Sequence, residues 1–360
     1  MPLEDWDLEL DTSTQDGKNL QLAASHLKCS DIPVAFPTET VYGLGADATR
    51  SAAVKGIYQA KQRPSDNPLI VHIASLKQLR RLLSTSSSSP EVDPIPQVYH
   101  ALIQRFWPGP ITIILPVPEN SELALEVTAG LRTFGARMPR DLLALALIKT
   151  ADVPVAAPSA NASTKPSPTA AEHVRYDLDG RIELIVDGGP CDVGVESTVV
   201  DGLSSPPAVL RPGGIGIDSI KTVPGWENTV VGYHDISLKG DAAPRAPGMK
   251  YRHYSPKAPV MLVEATGGTQ PSSSDLARQL GLHAEEVQLE DVGRSFTVWD
   301  MCIGPDTASV ARGLFSALRE LDRKNVDAIV VEGIDDEEGD IAAAVMNRLR
   351  KAAEVKVVQL

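Results

Sequence analysis

The chain has 360 residues, 42% of them hydrophobic but only 4% aromatic, so it is long enough for two domains with mostly aliphatic cores. Its formal charge of -13 argues against a broad, sequence-independent grip on nucleic acid, which needs a basic face, and leaves room for one local basic pocket. Cys29, Cys191 and Cys302 lie far apart with no CxxC or paired Cys/His spacing, which argues against a zinc site or a disulfide framework; buried, reduced cysteines are expected.

The opening stretch MPLEDWDLELDTSTQD is acidic, unlike a secretory signal or an Arg-rich transit peptide. No apolar run is long enough to span a bilayer. A soluble cytosolic protein is expected, with an additional mitochondrial pool left open. Residues 1–29 read as an extension with a first helix. IPVAF (32–36) reads as a buried strand, followed by the loop PTET. In YGLG, Gly43 and Gly45 fit neither a dinucleotide nor a P-loop fingerprint, so a tight turn is expected. Val54, Ile57 and Tyr58 lie at helical spacing in a helix over 51–61, which Pro64 stops. LIVHI (69–73) is a strand, 75–83 a helix, STSSSSP (84–90) a low-complexity surface loop and 97–107 a helix. ITIIL (111–115) and TFGARM (133–138) are strands, and 141–151 is an apolar helix. VPVAA (153–157) runs as a strand into PSAN, 169–178 is a helix, and IELIVD, STVVD and AVLR (182–187, 197–201, 208–211) complete a mixed sheet. Polar residues recur just past strand ends, where open sheets bind ligands.

From about Gly213 to Pro259 the pattern loosens, and DAAPRAPGMKYRHYSPKAP packs four prolines between Pro244 and Pro259, as a stiff linker would. Beyond it, VMLVEA (260–265), SSDLARQLG, SFTVWDM (295–301), SVARGLFSALRELDR, VDAIVVEGI (326–334), IAAAVMNRLRKAAE and VKVVQL alternate as a small parallel α/β unit. The acidic run EGIDDEEGD (332–340) reads as a solvated loop rather than a metal site.

The chemistry-bearing residues cluster in the first unit. In KQRPSDNPLIVH, Lys61 and Arg63 follow a helix end, where Pro64 aims them into a loop, and His72 sits in the next strand. Lysine offers a compact charge and arginine a planar fork for carboxylate or phosphate. Thr133 and Arg137 share one strand face, and Arg137, between Ala136 and Met138, reads as half-buried. A buried guanidinium needs an anion, either a protein carboxylate or a substrate. Thr38 directly follows a strand, as cap or ligand-facing hydroxyl. APSAN presents Ser159 and Asn161 as a phosphate or nucleoside cradle, and Ser159 is in no GxSxG elbow. Ser167 lies in a polar loop, Ser197 at a strand mouth, and Arg211 where a strand meets a glycine-rich turn. Together these cations would hold something with several negative charges.

These blocks, in order, resemble the YrdC-type L-threonylcarbamoyladenylate synthases in their long two-domain form. The likeness runs from FPTETVYGLGADA through KQRPSDNPLIVH, FWPGPITIIL, TFGARMP, APSANAS, VESTVVD and LRPGG to APGMKYRHYSPKAP, roughly residues 30–260. The resemblance implies a YrdC-like, twisted, open, mixed-sheet catalytic domain over 30–215, a linker acting as a lid over 216–258, and a smaller Rossmann-like α/β domain over 259–360. It also implies a nucleotidyltransferase that joins L-threonine, bicarbonate and ATP into threonylcarbamoyl-AMP and pyrophosphate. A separate enzyme then transfers the product to tRNA. By motif, Thr38, His72, Arg137, Ala157 and Ser197 match the threonine pocket. Lys61, Arg63, Ser65, Thr133, Ser159, Asn161, Ser167 and Arg211 match the ATP side, with Lys61 and Arg63 as the catalytic cations and Tyr251 and Tyr254 on the lid. Mg2+ is implied with ATP, its ligands unspecified. Direct tRNA binding is expected to be weak or absent, and no membrane is involved. An RNA-binding module is the alternative from another class; the acidic balance and few aromatics count against it. A hydrogenase-maturation-type carbamoyltransferase is a second alternative, but it would need zinc-finger cysteines.

Overall fold

A computed structural model describes residues 3–84, 92–233, 253–264, 299, 301–336, 339–353 and 357–359. Helix α1 (Gln15–Cys29) opens on Thr14, whose hydroxyl accepts from the Gly17 amide, and buries Leu20, Ala23, Ala24 and Leu27 on one stripe. Strands β1 (Val34–Phe36) and β2 (Gly43–Asp47) pair antiparallel. The expected turn at YGLG is therefore a strand. Its glycines serve packing: a Cβ on Gly45 would stand 2.7 Å from Phe36 Cε1 and 2.8 Å from Val155 Cγ1.

Helix α2 (Ser51–Lys61) stops at Gln62, which takes φ 53° as a left-handed C-cap. Then come β3 (Ile70–His72), α3 (Leu76–Leu83), a 3-10 turn (Gln97–Tyr99) running into α4 (His100–Phe106), and β4 (Ile111–Pro116). The expected loop 84–90 lies, beyond Ser84, outside the described residues. Short α5 (Leu125–Thr128), β5 (Thr133–Arg137), α6 (Leu142–Ala151) and β6 (Val155–Ala156) follow. Next are α7 (Ala171–Leu178), β7 (Leu184–Ile185), β8 (Thr198–Asp201), β9 (Ala208–Arg211), α8 (Ile217–Lys221) and β10 (Val230–Val231). All ten strands form one mixed sheet, ordered β10-β9-β8-β4-β5-β3-β6-β2-β1-β7.

The second unit is a parallel sheet ordered β12-β11-β13, made by β11 (Val260–Glu264), β12 (Ile329–Glu332) and β13 (Val357–Gln359). Helices α9 (Thr307–Arg323) and α10 (Ala342–Ala352) belong to it. The helix expected at SSDLARQLG lies outside the described residues, and of the strand expected at 295–301 only Trp299 and Met301 are described, both in irregular backbone. The small unit is docked, not loose: Val41 and Val195 of the first unit share a core with Tyr254, Leu314, Phe315 and Val345. Each such fully buried aliphatic or aromatic side chain contributes about 1.5–3 kcal/mol. Gly194, at φ 80°, lets α9 come close; a Cβ there would meet Arg312 Cα at 2.4 Å.

Cys191 is buried as expected, but Cys29 and Cys302 are exposed. Cys29 is the last residue of α1, past the buried stripe that ends at Leu27, so no neighbour covers it.

Candidate active site

Register builds the first wall. Strand β3 runs parallel to β5 with His72 opposite Arg137, and antiparallel to β6 with His72 opposite Val155. Paired residues in neighbouring strands point to the same face, so His72 and Arg137 stand side by side. His72 Nδ1 lies 3.2 Å from the Ile70 carbonyl, and the ring meets Phe36 edge-on at 6.1 Å. Burial, and then the neighbouring Arg137, pull its pKa down to about 3, so the imidazole is neutral across the physiological range.

The Arg137 guanidinium is held on three sides. Its Nε donates to the Gly109 carbonyl at 3.2 Å and Nη1 to Thr40 Oγ1 at 2.8 Å, while Nη2 lies 2.7 Å from Glu39 Oε1. Both side chains are almost wholly buried. The anion that a buried arginine requires is therefore present within the protein. Glu39 and Thr40 were not singled out from the sequence. The signal available was the glutamate of PTET itself, since a buried guanidinium implies some carboxylate. In the same loop Thr38 donates to the Val41 carbonyl at 2.7 Å and accepts from the Thr40 amide at 3.2 Å, so its hydroxyl also shapes the turn.

The APSAN loop makes the facing wall. It is laced to β2 by Leu44 N to the Pro158 carbonyl and Ala160 N to the Tyr42 carbonyl, both 2.8 Å. Ser159 Oγ donates to Asn161 Oδ1 at 2.6 Å, and Asn161 Nδ2 reaches the carbonyls of Ala162 and Lys165. Lys61 supports this loop from behind: its Nζ donates to the Ser159 carbonyl and, at 2.7 Å, to the Asn161 carbonyl. Burial, then Arg63, hold the Lys61 pKa well below the usual lysine value. The left-handed cap at Gln62 turns the chain between them, so Lys61 lies in the fold while Arg63 lines the cavity.

The back wall comes from β8, β9 and the approach to β11. Arg211 Nη2 donates to the Ser197 carbonyl at 2.9 Å and to Ser197 Oγ at 3.1 Å, and Ser197 Oγ is 2.8 Å from Thr112 Oγ1. Burial lowers the Arg211 pKa to about 10, with the guanidinium still charged near neutrality. Ser167 Oγ donates to Glu196 Oε1 at 2.5 Å. Tyr254, at φ 63°, stacks on Phe315 with ring centroids 5.3 Å apart.

One cavity is lined by Thr38, Arg63, His72, Arg137, Ala157, Ser159, Ser197, Arg211 and Tyr254 of the expected set, together with Thr40, Glu196 and His253. Lys61, Asn161 and Ser167 are buried outside that lining. Lys61 instead borders a second cavity with Lys165, Arg181 and Lys257. Ser65 is exposed on the loop after α2, and Thr133 sits half-buried at the start of β5. Tyr251 lies outside the described residues. Three guanidinium groups and a neutral imidazole thus face one space, which suits a small substrate carrying several negative charges.

Residues 30–213 match the family profile described as "Telomere recombination", and residues 215–354 match "Threonylcarbamoyl-AMP synthase, C-terminal domain". The threonylcarbamoyl-AMP synthase of Schizosaccharomyces pombe is 48% identical, over 93% of this chain and 88% of its own. That of Bacillus subtilis is 43% identical, over 98% of both. The chain belongs to the threonylcarbamoyl-AMP synthase family. Its fold agrees with membership in that family: Pyrococcus abyssi Sua5, solved in complex with L-threonine, superposes with a TM-score of 0.79 at 42% identity, over 95% of this chain and 96% of its own.

Proposed function

We infer that this chain makes threonylcarbamoyl-AMP and pyrophosphate from L-threonine, bicarbonate and ATP, in the cavity lined by His72, Arg137, Arg63 and Arg211, for the threonylcarbamoyl modification of tRNA. The observation that carries the assignment of the site is the side-by-side placement of His72 and Arg137, with the other two arginines lining the same cavity. The threonine amine attacks bicarbonate with loss of water, or CO2 derived from it with loss of an amine proton, giving a carbamate. A carbamate oxygen then attacks the α-phosphorus and pyrophosphate leaves. Both reactants are anions, so their approach needs fixed positive charge already in place.

In this reading Arg137 takes the threonine carboxylate, with its guanidinium plane already set by Glu39, Thr40 and Gly109. The neutral His72, with Thr38, Ala157 and Ser197, completes the amino-acid side. Arg63 and Arg211 face the phosphates, with Ser159 beside them. Lys61 acts through the loop it holds, fixing the carbonyls of Ser159 and Asn161. Held together, the reactants gain chiefly from proximity.

The described residues offer no group of three or more His, Cys, Asp or Glu side chains spaced to hold a metal. Of the carboxylates nearest the cavity, Glu196 faces Arg348 and Glu39 faces Arg137. These residues do not fit a protein-built Mg2+ cage, and we propose that magnesium arrives as part of the nucleotide substrate, held by phosphates and water. The product passes to a separate tRNA-modifying transferase, and direct tRNA binding is weak or absent on a chain of charge -13. A cytoplasmic location, where threonine, ATP and tRNA meet, is part of the same proposal. Among the described residues no helix is long and apolar enough to cross a membrane. Family membership decides against the RNA-binding and hydrogenase-maturation alternatives.

The test is pyrophosphate release with threonine, bicarbonate and ATP each omitted in turn. Release is expected only with all three present. Equal release with serine in place of threonine would remove the amino-acid assignment.

A further inference from the structure

The cavity of an enzyme that gathers anions contains a carboxylate. Glu196 lines it and is 8% exposed. Left ionised and unanswered, it would repel a nucleotide entering the same space. Left to burial alone, it would take up a proton. Neither is its state here. Its Oε1 accepts from Ser167 and its Oε2 faces Arg348 Nε at 2.9 Å. Burial raises the Glu196 pKa, but Arg348 and then Arg211 outweigh it, and the carboxyl is held below its ordinary value.

Arg348 comes from α10, in the C-terminal domain, 152 residues along the chain from Glu196. It is fully buried and lies outside the cavity lining. Its Nη1 donates to the Pro212 carbonyl at 2.5 Å and its guanidinium lies 5.7 Å from the Tyr254 ring centroid. The charged groups acting on Glu196 include Arg348 from α10 and Arg211 from β9, and Glu196 in turn acts upward on the pKa of Tyr254, on the approach to β11, and of Lys61 on α2.

We propose that Arg348 is a positioning residue for the nucleotide site: the C-terminal domain inserts it to cancel the charge of Glu196, so that the cavity keeps the net positive field its anionic substrates need. The role rests on the assignment of ATP to this cavity. It gives the second domain a part in the chemistry beyond supporting the linker. Because Arg348 stands behind Glu196, no substrate has to displace it.

The test is isothermal titration of the full chain with magnesium and ATP, without threonine, so that nothing turns over. Arg348→Met is expected to weaken binding at least about tenfold at about pH 8, the scale of about 1.4 kcal/mol for one lost charge-assisted contact. Binding should recover as the pH is lowered, because Glu196 without its cation takes up a proton more readily. The double variant Glu196→Gln with Arg348→Met should bind within about threefold of the wild type, with no such pH dependence. A purely structural Arg348 predicts the opposite: one loss at every pH, not restored by Glu196→Gln, and that result would overturn the proposal. So would wild-type binding by Arg348→Met. If Arg348→Met does not fold, the charge-retaining Arg348→Lys decides the matter. Its binding should be close to wild type and flat with pH, and a folded Arg348→Lys that binds weakly at every pH sinks the idea. Wild-type protein that fails to bind ATP would instead remove the assignment of the nucleotide to this cavity.

Discussion

Arg137 and Arg319 are both buried arginines that answer a buried carboxylate, yet they occupy different kinds of place. Arg137 is on the sheet wall, where Glu39, Thr40 and Gly109 hold it while one side still borders the cavity. Arg319 is on α9, at the seam between the two domains. There it meets Asp177 at 2.8 Å and also donates to the Pro166 carbonyl. The local chemistry is the same and the accessibility is not. A ligand in the arginine-lined cavity can join the first pair, whereas neither Arg319 nor Asp177 lines that cavity; Asp177 borders only the second one, and the pair links the two domains. Pairing alone therefore does not separate a binding arginine from a structural one; what lies on the remaining side does.

Substitution can break that contrast. Arg137→Ala should do the most damage. It leaves Glu39 buried without its cation, a loss of about 3–5 kcal/mol, and removes threonine-dependent pyrophosphate release. Urea denaturation and the pyrophosphate assay read the two effects separately. An active Arg137→Ala enzyme with an unchanged KM for threonine would show that the sheet wall is no more than structural. Arg319→Leu should cost about 3 kcal/mol of stability, the low end of that range, because Lys165 remains 3.0 Å from Asp177. Its KM for threonine should stay at the wild-type value. A raised KM would mean that the seam reaches the site and that the two regions are not distinct.

The smallest effect concerns His72 beside Arg137. The unfolded chain takes up a proton on this residue near pH 6.5, while the folded chain resists until about pH 3. The unfolded state therefore binds more protons in between, and stability falls as the pH drops through that window. The contribution is complete above about pH 6.5 and is lost towards pH 3. His72→Asn should flatten this part of the slope in denaturation measured across pH. An unchanged slope would mean that the imidazole titrates normally and is not sealed in the wall.

Much of the fold was legible because it follows from periodicity. The helix over 51–61, the strands around Ile70, Ile111 and Thr133, and the apolar helix after Asp141 are where the spacing puts them. YGLG misled because glycine has two uses. The chain needed room for the Phe36 ring, not a turn, and that depends on a neighbour in another strand. Lys61 and Arg63 read as a pair aimed one way. A single left-handed residue between them sends one into the fold and the other to the cavity.

By itself the sequence determined the two α/β units, the strand-end positions of His72, Arg137 and Arg211, and the surplus of cations gathered near them. All of that is short-range: side-chain type, spacing and chain direction fix it. Only the tertiary structure decided which carboxylate answers which arginine. Glu39 reaches Arg137 across the sheet, and Arg348 reaches Glu196 from 152 residues away in another domain. The net charge that a substrate meets is the sum over groups brought within a few ångströms, and that proximity is set by packing rather than by order along the chain.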